Sequence, residues 1–261
     1  MKNLAVTVNA ETGFSAYLDE TNIVNFTEFS GTKYSKTDRI SDICQKVKKG
    51  EYRIHATKFY RPEVLLVKTD MPDEAIKYGG LTYQVGSPTY DLGTLRIGQI
   101  NGQKYVSMIA IPKAQVAGIR NSLKRFGTDL RSIGYFGEGL YQVAKRNARK
   151  DTPLVIIADD GISCLGLVFI NGLLCSARYH NDNELKLGFV ERIVSMTTLA
   201  QDLYDPQVAL FTPDNTTWTK ALKGVEIVDV RRYFSKNKEI TSPLFYNSVG
   251  LLLKKGGIFN A

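Results

Sequence analysis

The residues best suited to chemistry form one short run, Asp159-Asp160-Gly161-Ile162-Ser163. Adjacent carboxylates can hold a cation or orient water. A glycine lets the backbone bend around an anion, and a serine hydroxyl can bind a phosphate oxygen. Several nucleotide-handling folds place phosphate and metal ligands in such a turn at a strand end. More often a run of this kind is only a polar turn. Little else competes for a chemical role. His55 and His180 stand far apart in sequence, and Cys44, Cys164 and Cys175 have no metal-ligand spacing. Neither a zinc site nor a histidine-based triad is expected.

The acidic run needs strands to hold it. Leu154 to Ala158 is continuously apolar, Leu165 to Ile170 is apolar again, and Leu173 to Tyr179 follows after Asn171-Gly172. Asn-Gly between two apolar runs predicts a tight hairpin, because both residues tolerate positive φ. The stretch 153–179 therefore reads as strand, acidic turn, strand, tight turn, strand. The N-terminal residues repeat that plan. Strands at 3–8, 14–18 and 23–29 are separated by Asn9-Ala10-Glu11-Thr12-Gly13 and Asp19-Glu20-Thr21-Asn22. Further along, Leu92 to Ile100, Asn101-Gly102 and Lys104 to Ile111 predict a second hairpin. Apolar spacing predicts helices over 35–48, 112–126, 137–149, 184–204, 213–222 and 242–253. The class is mixed α/β.

Composition sets outer bounds. The chain has 261 residues, is 43% hydrophobic and 23% charged, and carries a net charge of +8. It contains no apolar run long enough for a membrane helix, and its start lacks the apolar core of a signal peptide. The positive excess concentrates in 113–150, with nine Lys or Arg against Asp129 and Glu138. Such a balance suits an acidic partner, an anionic membrane surface or a nucleic acid. No aromatic-basic interleaving, helix-turn-helix or finger spacing supports the last.

Two similar strand triplets, each followed by α/β segments, form the layout of the actin-like ATPase superfold, with duplicated ribonuclease H-like lobes. Three runs sharpen the resemblance: VSMIAIPKAQVAGIRNSLKRFGTDLRSIGYFGEGLYQVAKR, then PLVIIADDGISCLGLVFINGLLCSAR, and NSVGLLLKKGG near the end. Their order resembles the PilM proteins of type IV pilus assembly and the cytoplasmic domain of the GspL proteins of type II secretion. KTDMPDEAIKYGGLTYQV corresponds loosely to a further helix of those families. The resemblance covers about the last 155 residues.

The resemblance implies a first lobe over 1–105 with an inserted subdomain and a second lobe over 106–261. It implies two phosphate loops, and both are degenerate. Asn9 stands where the superfold has Asp, with Thr12 and Gly13 after it. In the second loop, Asp160, Gly161 and Ser163 remain, but the loop is about two residues short. The expected adenosine-binding Gly-Gly pair is replaced by Phe211-Thr212-Pro213-Asp214. The implied fold is thus a reduced, degenerate actin-like one, with no cofactor beyond weak ATP binding at these vestigial loops and no metal. The implied role is a scaffold at the cytoplasmic face of the inner membrane. It would link an assembly ATPase to inner-membrane pilus or secretion proteins.

Two surfaces are candidates for such partners. Tyr78, Leu81, Tyr83, Val85 and Tyr90 place apolar and aromatic side chains in a stretch with little period of its own. They could receive an extended segment of a membrane partner, or form an ordinary covered edge. Arg146 and Arg149, with Lys145 and Lys150, cluster near the end of a predicted helix. They would face an acidic partner or lipid headgroups, or simply solvent. Two other readings stay open: an ATP phosphotransferase using Asp160 and Glu11 as its acids, and a basic nucleic-acid-binding module whose association falls steeply with salt.

Overall fold

The computed structural model describes residues 2–8, 12–18, 24–30, 52–58, 62–81, 88–124, 129–180, 185–199, 205–213, 215–230, 242–253 and 259–260. The chain forms two compact units. The first comprises Met1–Tyr60, Pro112–Val143 and Ser242–Ala261, the second Arg61–Ile111 and Ala144–Thr241. The sequence reading placed a single boundary at 105/106, whereas the chain here passes between units four times. Non-local pairing is the reason: residues 129–135 and 259–260 join the N-terminal strands in one sheet.

In the first unit, β1 (Lys2–Val8), β2 (Thr12–Leu18) and β3 (Val24–Ser30) form the expected antiparallel triplet. β4 (Tyr52–Lys58) and β8 (Asp129–Tyr135) then extend the sheet in parallel on the other side of β1. β14 (Phe259–Asn260) closes the edge, giving the order β14-β8-β4-β1-β2-β3. Helix α2 (Lys113–Lys124) precedes β8, and Val116 and Ile119 on it are buried as the period predicts. Helix α3 (Glu138–Ala144) follows β8.

Helix α6 (Pro243–Leu253) packs on β1 and β2 and is apolar nearly all round, the composition of an interior helix. Its two buried polar residues, Asn247 and Ser248, are fully engaged. Asn247 Oδ1 accepts the Gly137 and Gly139 backbone N–H groups at 3.2 and 3.0 Å. Its Nδ2 donates to the Thr7 and Thr57 hydroxyls, both at 3.0 Å. Ser248 Oγ lies 2.9 Å from Thr7 Oγ1. Glycines let α3 and α6 touch backbone to backbone. A Cβ on Gly139 would stand 1.9 Å from the Asn247 carbonyl oxygen, and one on Gly250 would stand 1.9 Å from that of Gly139.

The second unit repeats the plan. β9 (Leu154–Asp159), β10 (Cys164–Ile170) and β11 (Leu173–Tyr179) are antiparallel. β12 (Gln207–Phe211) and β13 (Glu226–Val228) run parallel beyond β9, so the order is β11-β10-β9-β12-β13. Both sheets thus read third, second, first, fourth, fifth. A separate sheet, β5 (Glu63–Lys68), β7 (Gln103–Pro112) and β6 (Tyr90–Ile100), lies against β11. The Ser107 hydroxyl donates to the Leu174 carbonyl at 2.7 Å. Both Asn-Gly turns have the predicted positive φ, 49° and 71° at 101–102 and 50° and 76° at 171–172.

Three predicted helices are shorter than expected. The 184–204 helix is α4 (Lys186–Ser195), followed by a 3₁₀ turn over Met196–Leu199. Ser195, Thr197 and Thr198 each turn a hydroxyl back to the carbonyl three residues before, which competes with the helical ladder. The 213–222 helix is α5 (Thr216–Thr219). The 137–149 helix ends at Ala144: the Asn147 and Ala148 N–H groups both turn back to the Ala144 carbonyl, and the Arg149 N–H donates to the Gln207 side chain rather than to a helical carbonyl. The predicted 35–48 helix lies outside the described residues.

Candidate functional site

β9 is buried through Ala158 and delivers Asp159 at its C-terminal end. Alternation decides where that carboxylate goes. Val155 and Ile157 join the core that holds Phe189, Ile193 and Trp218. Asp159, two residues further on, meets the same group. Its Oδ2 accepts the Trp218 indole N–H at 2.8 Å and lies 3.4 Å from Lys186 Nζ. Lys186, at the first position of α4, also donates to Thr217 Oγ1 at 2.6 Å and sits 4.5 Å from the Trp218 ring centroid, a cation–π distance. The N-cap position is Leu185, and no acid stands in the first turn.

The turn after Asp159 consumes its own donors. Asp159 Oδ1 accepts the Gly161 N–H at 2.9 Å. Asp160 Oδ1 accepts those of Ile162 and Ser163 at 3.0 and 2.7 Å. The Asp160 N–H donates to the Ser163 carbonyl at 3.2 Å. All four backbone N–H groups of 160–163 are thereby used within the turn, and Gly161, at φ 87°, makes its bend feasible. A loop that wraps phosphate must offer such groups outward. In this arrangement the second loop does not fit a magnesium nucleotide: its donors are spent, and its inward carboxylate is neutralised by a lysine.

A cavity of about 330 Å³ opens beside the turn. Asp159 and Lys186 line it with Ser163, Cys164, His180 and Thr212. The His180 ring meets Phe189 edge-on with centroids 5.1 Å apart. Its Nε2 is buried and has no hydrogen-bond partner among the described residues. Burial, and secondarily the Asp159 charge, pushes the Cys164 thiol far above its ordinary range.

The expected site residues separate by unit. Asn9 lies outside the described residues. Thr12 and Gly13 open β2, with Gly13 paired to Val8. Asp160, Gly161 and Ser163 form the turn just described. Register shows the two turns to be equally long: four residues separate Val8 from Gly13, and four separate Asp159 from Cys164. Among the partner candidates, Tyr78 is exposed just beyond α1 (Asp73–Lys77). Leu81 is core instead, packed with Ile76, Val106 and Met108, so it cannot serve an accessible face. Tyr90 is half-buried at the start of β6. Tyr83 and Val85 lie outside the described residues. Arg146 and Arg149 are exposed in the turns after α3, not on a helix end, and Arg149 is ion-paired to Glu226.

Sequence reasoning missed Asp159, Lys186, His180 and Trp218 as one cluster. The D-x-G pattern drew attention to Asp160, although the alternation Val155-Ile157-Asp159 already marked its neighbour as the inward acid.

The sequence matches no protein-family model and no curated protein. Solved structures are similar across the whole chain. The PilM-PilN type IV pilus biogenesis complex matches with TM-score 0.64 and 11% identity, covering 97% of this chain and 98% of that one. The cytoplasmic domain of EpsL, an inner membrane component of the type II secretion system of Vibrio cholerae, matches with TM-score 0.59 and 9% identity over 100% and 99%. A Bacteroides thetaiotaomicron protein of unknown function with an actin-like ATPase fold matches with TM-score 0.57 and 10% identity over 97% and 96%. The chain has the actin-like ATPase fold, and the expected likeness to PilM and GspL-type domains is met at the level of fold. No helix among the described residues is long and apolar enough to cross a membrane.

Proposed function

We propose that this chain is a non-catalytic actin-like scaffold at the cytoplasmic face of the inner membrane. It would serve the assembly platform of a type IV pilus or a type II secretion system, linking an assembly ATPase to membrane proteins. Two things support the reading: the whole-length likeness to PilM and to cytoplasmic EpsL, and the donor count in the 160–163 turn. The second carries the non-catalytic part. Phosphoryl transfer relies on many preorganised donors acting together. Each one withdrawn costs about 2–4 kcal/mol of transition-state stabilisation. Here three of the four backbone donors are spent on the turn's own carboxylates and the fourth on the Ser163 carbonyl, and Lys186 offsets the acid nearest the cavity.

Calorimetry with magnesium-ATP and a phosphate-release assay on the native chain test this reading. The expected result is no turnover above buffer. Turnover that disappears in Asp160→Ala would sink the scaffold reading and promote an ATP phosphotransferase. Co-purification with an assembly ATPase and an inner-membrane protein tests the linking role.

A further inference from the structure

We propose that Asn101 is a site of slow covalent modification, deamidation through a cyclic imide, and that the change unfastens the β6–β7 hairpin from the 3₁₀ turn over Met196–Leu199. The chemistry needs no reagent but water. The Gly102 backbone nitrogen attacks the side-chain carbonyl carbon of Asn101. A C–N bond forms, the side-chain nitrogen leaves, and the Gly102 proton departs with it as ammonia. Water then opens the imide at either carbonyl. One opening gives aspartate. The other gives isoaspartate, in which the main chain runs through the former side-chain carbon. A following glycine hinders the attack least, since it has no Cβ.

The chain holds two such pairs in the same local setting, Ile100-Asn101-Gly102 and Ile170-Asn171-Gly172. Sequence alone does not rank them, and the structure does. Both are two-residue turns with positive φ at each position, both asparagines are exposed, and both preceding isoleucines are buried. Each side chain is held by donating an Nδ2–H to a carbonyl at 2.9 Å, Asn101 to Leu199 and Asn171 to Gln99. Cyclisation therefore waits for the turn to open and that bond to break. At the second turn the next residue is Leu173, fully buried and packed on Gly98, so opening pulls at the core. Its acceptor, Gln99, belongs to β6 within a three-stranded sheet. At the first turn the next residue is the exposed Gln103, and the space around the Gly102 Cα is empty out to 4 Å from a built Cβ. Its acceptor, Leu199, ends a single 3₁₀ turn and is 55% exposed. Local opening is easiest where few buried groups move, so Asn101 is the reactive member.

Either product changes what the hairpin holds. A carboxylate has no hydrogen to donate, and it sets an anionic oxygen against the Leu199 carbonyl. The bond between the hairpin and the 3₁₀ turn is then lost. Isoaspartate also lengthens the main chain of the two-residue loop by one carbon.

The native protein is held in mildly alkaline buffer for weeks, then digested and read by mass spectrometry with isoaspartate-specific methyltransferase labelling. Conversion at Asn101 should run roughly fivefold or more ahead of Asn171. In urea the two should convert at similar rates, because the tripeptide is shared. Asn101→Asp carries the aspartate product from the start. It should speed hydrogen exchange across Met196–Leu199 by roughly fivefold or more. Asn101→Gly suits the same turn without amide or charge, and should match that acceleration. Equal native rates at the two asparagines, or faster conversion at Asn171, would overturn the site. Unchanged exchange in Asn101→Asp, or acceleration there but not in Asn101→Gly, would overturn the role of the Asn101–Leu199 bond.

Discussion

At the C-terminal ends of their paired parallel strands the two units carry different polar groups. In the first, Thr7 on β1 and Thr57 on β4 lie 3.1 Å apart beneath Asn247 and Ser248 of α6, and all four are buried. In the second, the strand end bears Asp159, which lies against Lys186 at the mouth of a cavity. The topology is shared, so fold alone does not explain the contrast. Charge does. Neutral amides and hydroxyls can be sealed from water once every donor and acceptor is matched. An ion pair sealed in the same way would face a desolvation penalty larger than its attraction repays, so it remains beside an opening. The first unit uses its strand ends to hold helices together, and the second leaves them accessible.

That contrast can be broken most severely where α3 meets α6. Gly139→Ala drives a methyl into the Asn247 carbonyl, which is backbone and cannot swing aside. Urea unfolding should show a loss of about 3 kcal/mol, the upper end for overpacking. Asn247→Leu keeps the bulk but strands the Gly137 and Gly139 N–H groups, and should cost about 2–3 kcal/mol by the same measurement. In the second unit the matching lesion should be milder. Lys186→Met should lower stability by only about 1 kcal/mol, since water and salt screen the partly exposed pair. Adding Asp159→Asn should restore most of that loss. A loss at Lys186 as large as that at Asn247 would remove the distinction between sealed and open ends.

The smallest effect concerns reactivity. Cys164 lines the cavity, yet burial holds its thiol far above its ordinary range, and Cys175 is pushed up to about 11. Thiolate, not thiol, attacks iodoacetamide. At pH 8 the native protein should leave both unmodified over an hour, and urea should expose both to labelling, as mass spectrometry of the digest would report.

Local signals were legible where local forces decide. The apolar runs of β9 and β10, the Asn-Gly turns and the strand triplets could be read directly, because turn chemistry and alternation act over a few residues. The end of α3 could not, since the side chain of Gln207 captures the Arg149 N–H from 58 residues away. The discontinuous units were hidden for the same reason. Nothing near Asn247 in sequence announces two threonines on β1 and β4. At the site, Asp160 fits the familiar pattern, but its carboxylate closes its own turn. The acid aimed at the cavity is the one that alternation, not motif, identifies.

The reach of Asn247 across 240 residues to Thr7 also sets a timetable for synthesis. A ribosome makes the triplet β1 to β3 early, yet the helix that covers it emerges only after every strand of the second unit has been made. Until then, the face of β1 and β2 that α6 will cover has no lid, and the Thr7 hydroxyl must bond to water. Nascent chains of this protein should therefore carry this sheet face uncovered for most of their elongation, a natural station for a ribosome-associated chaperone.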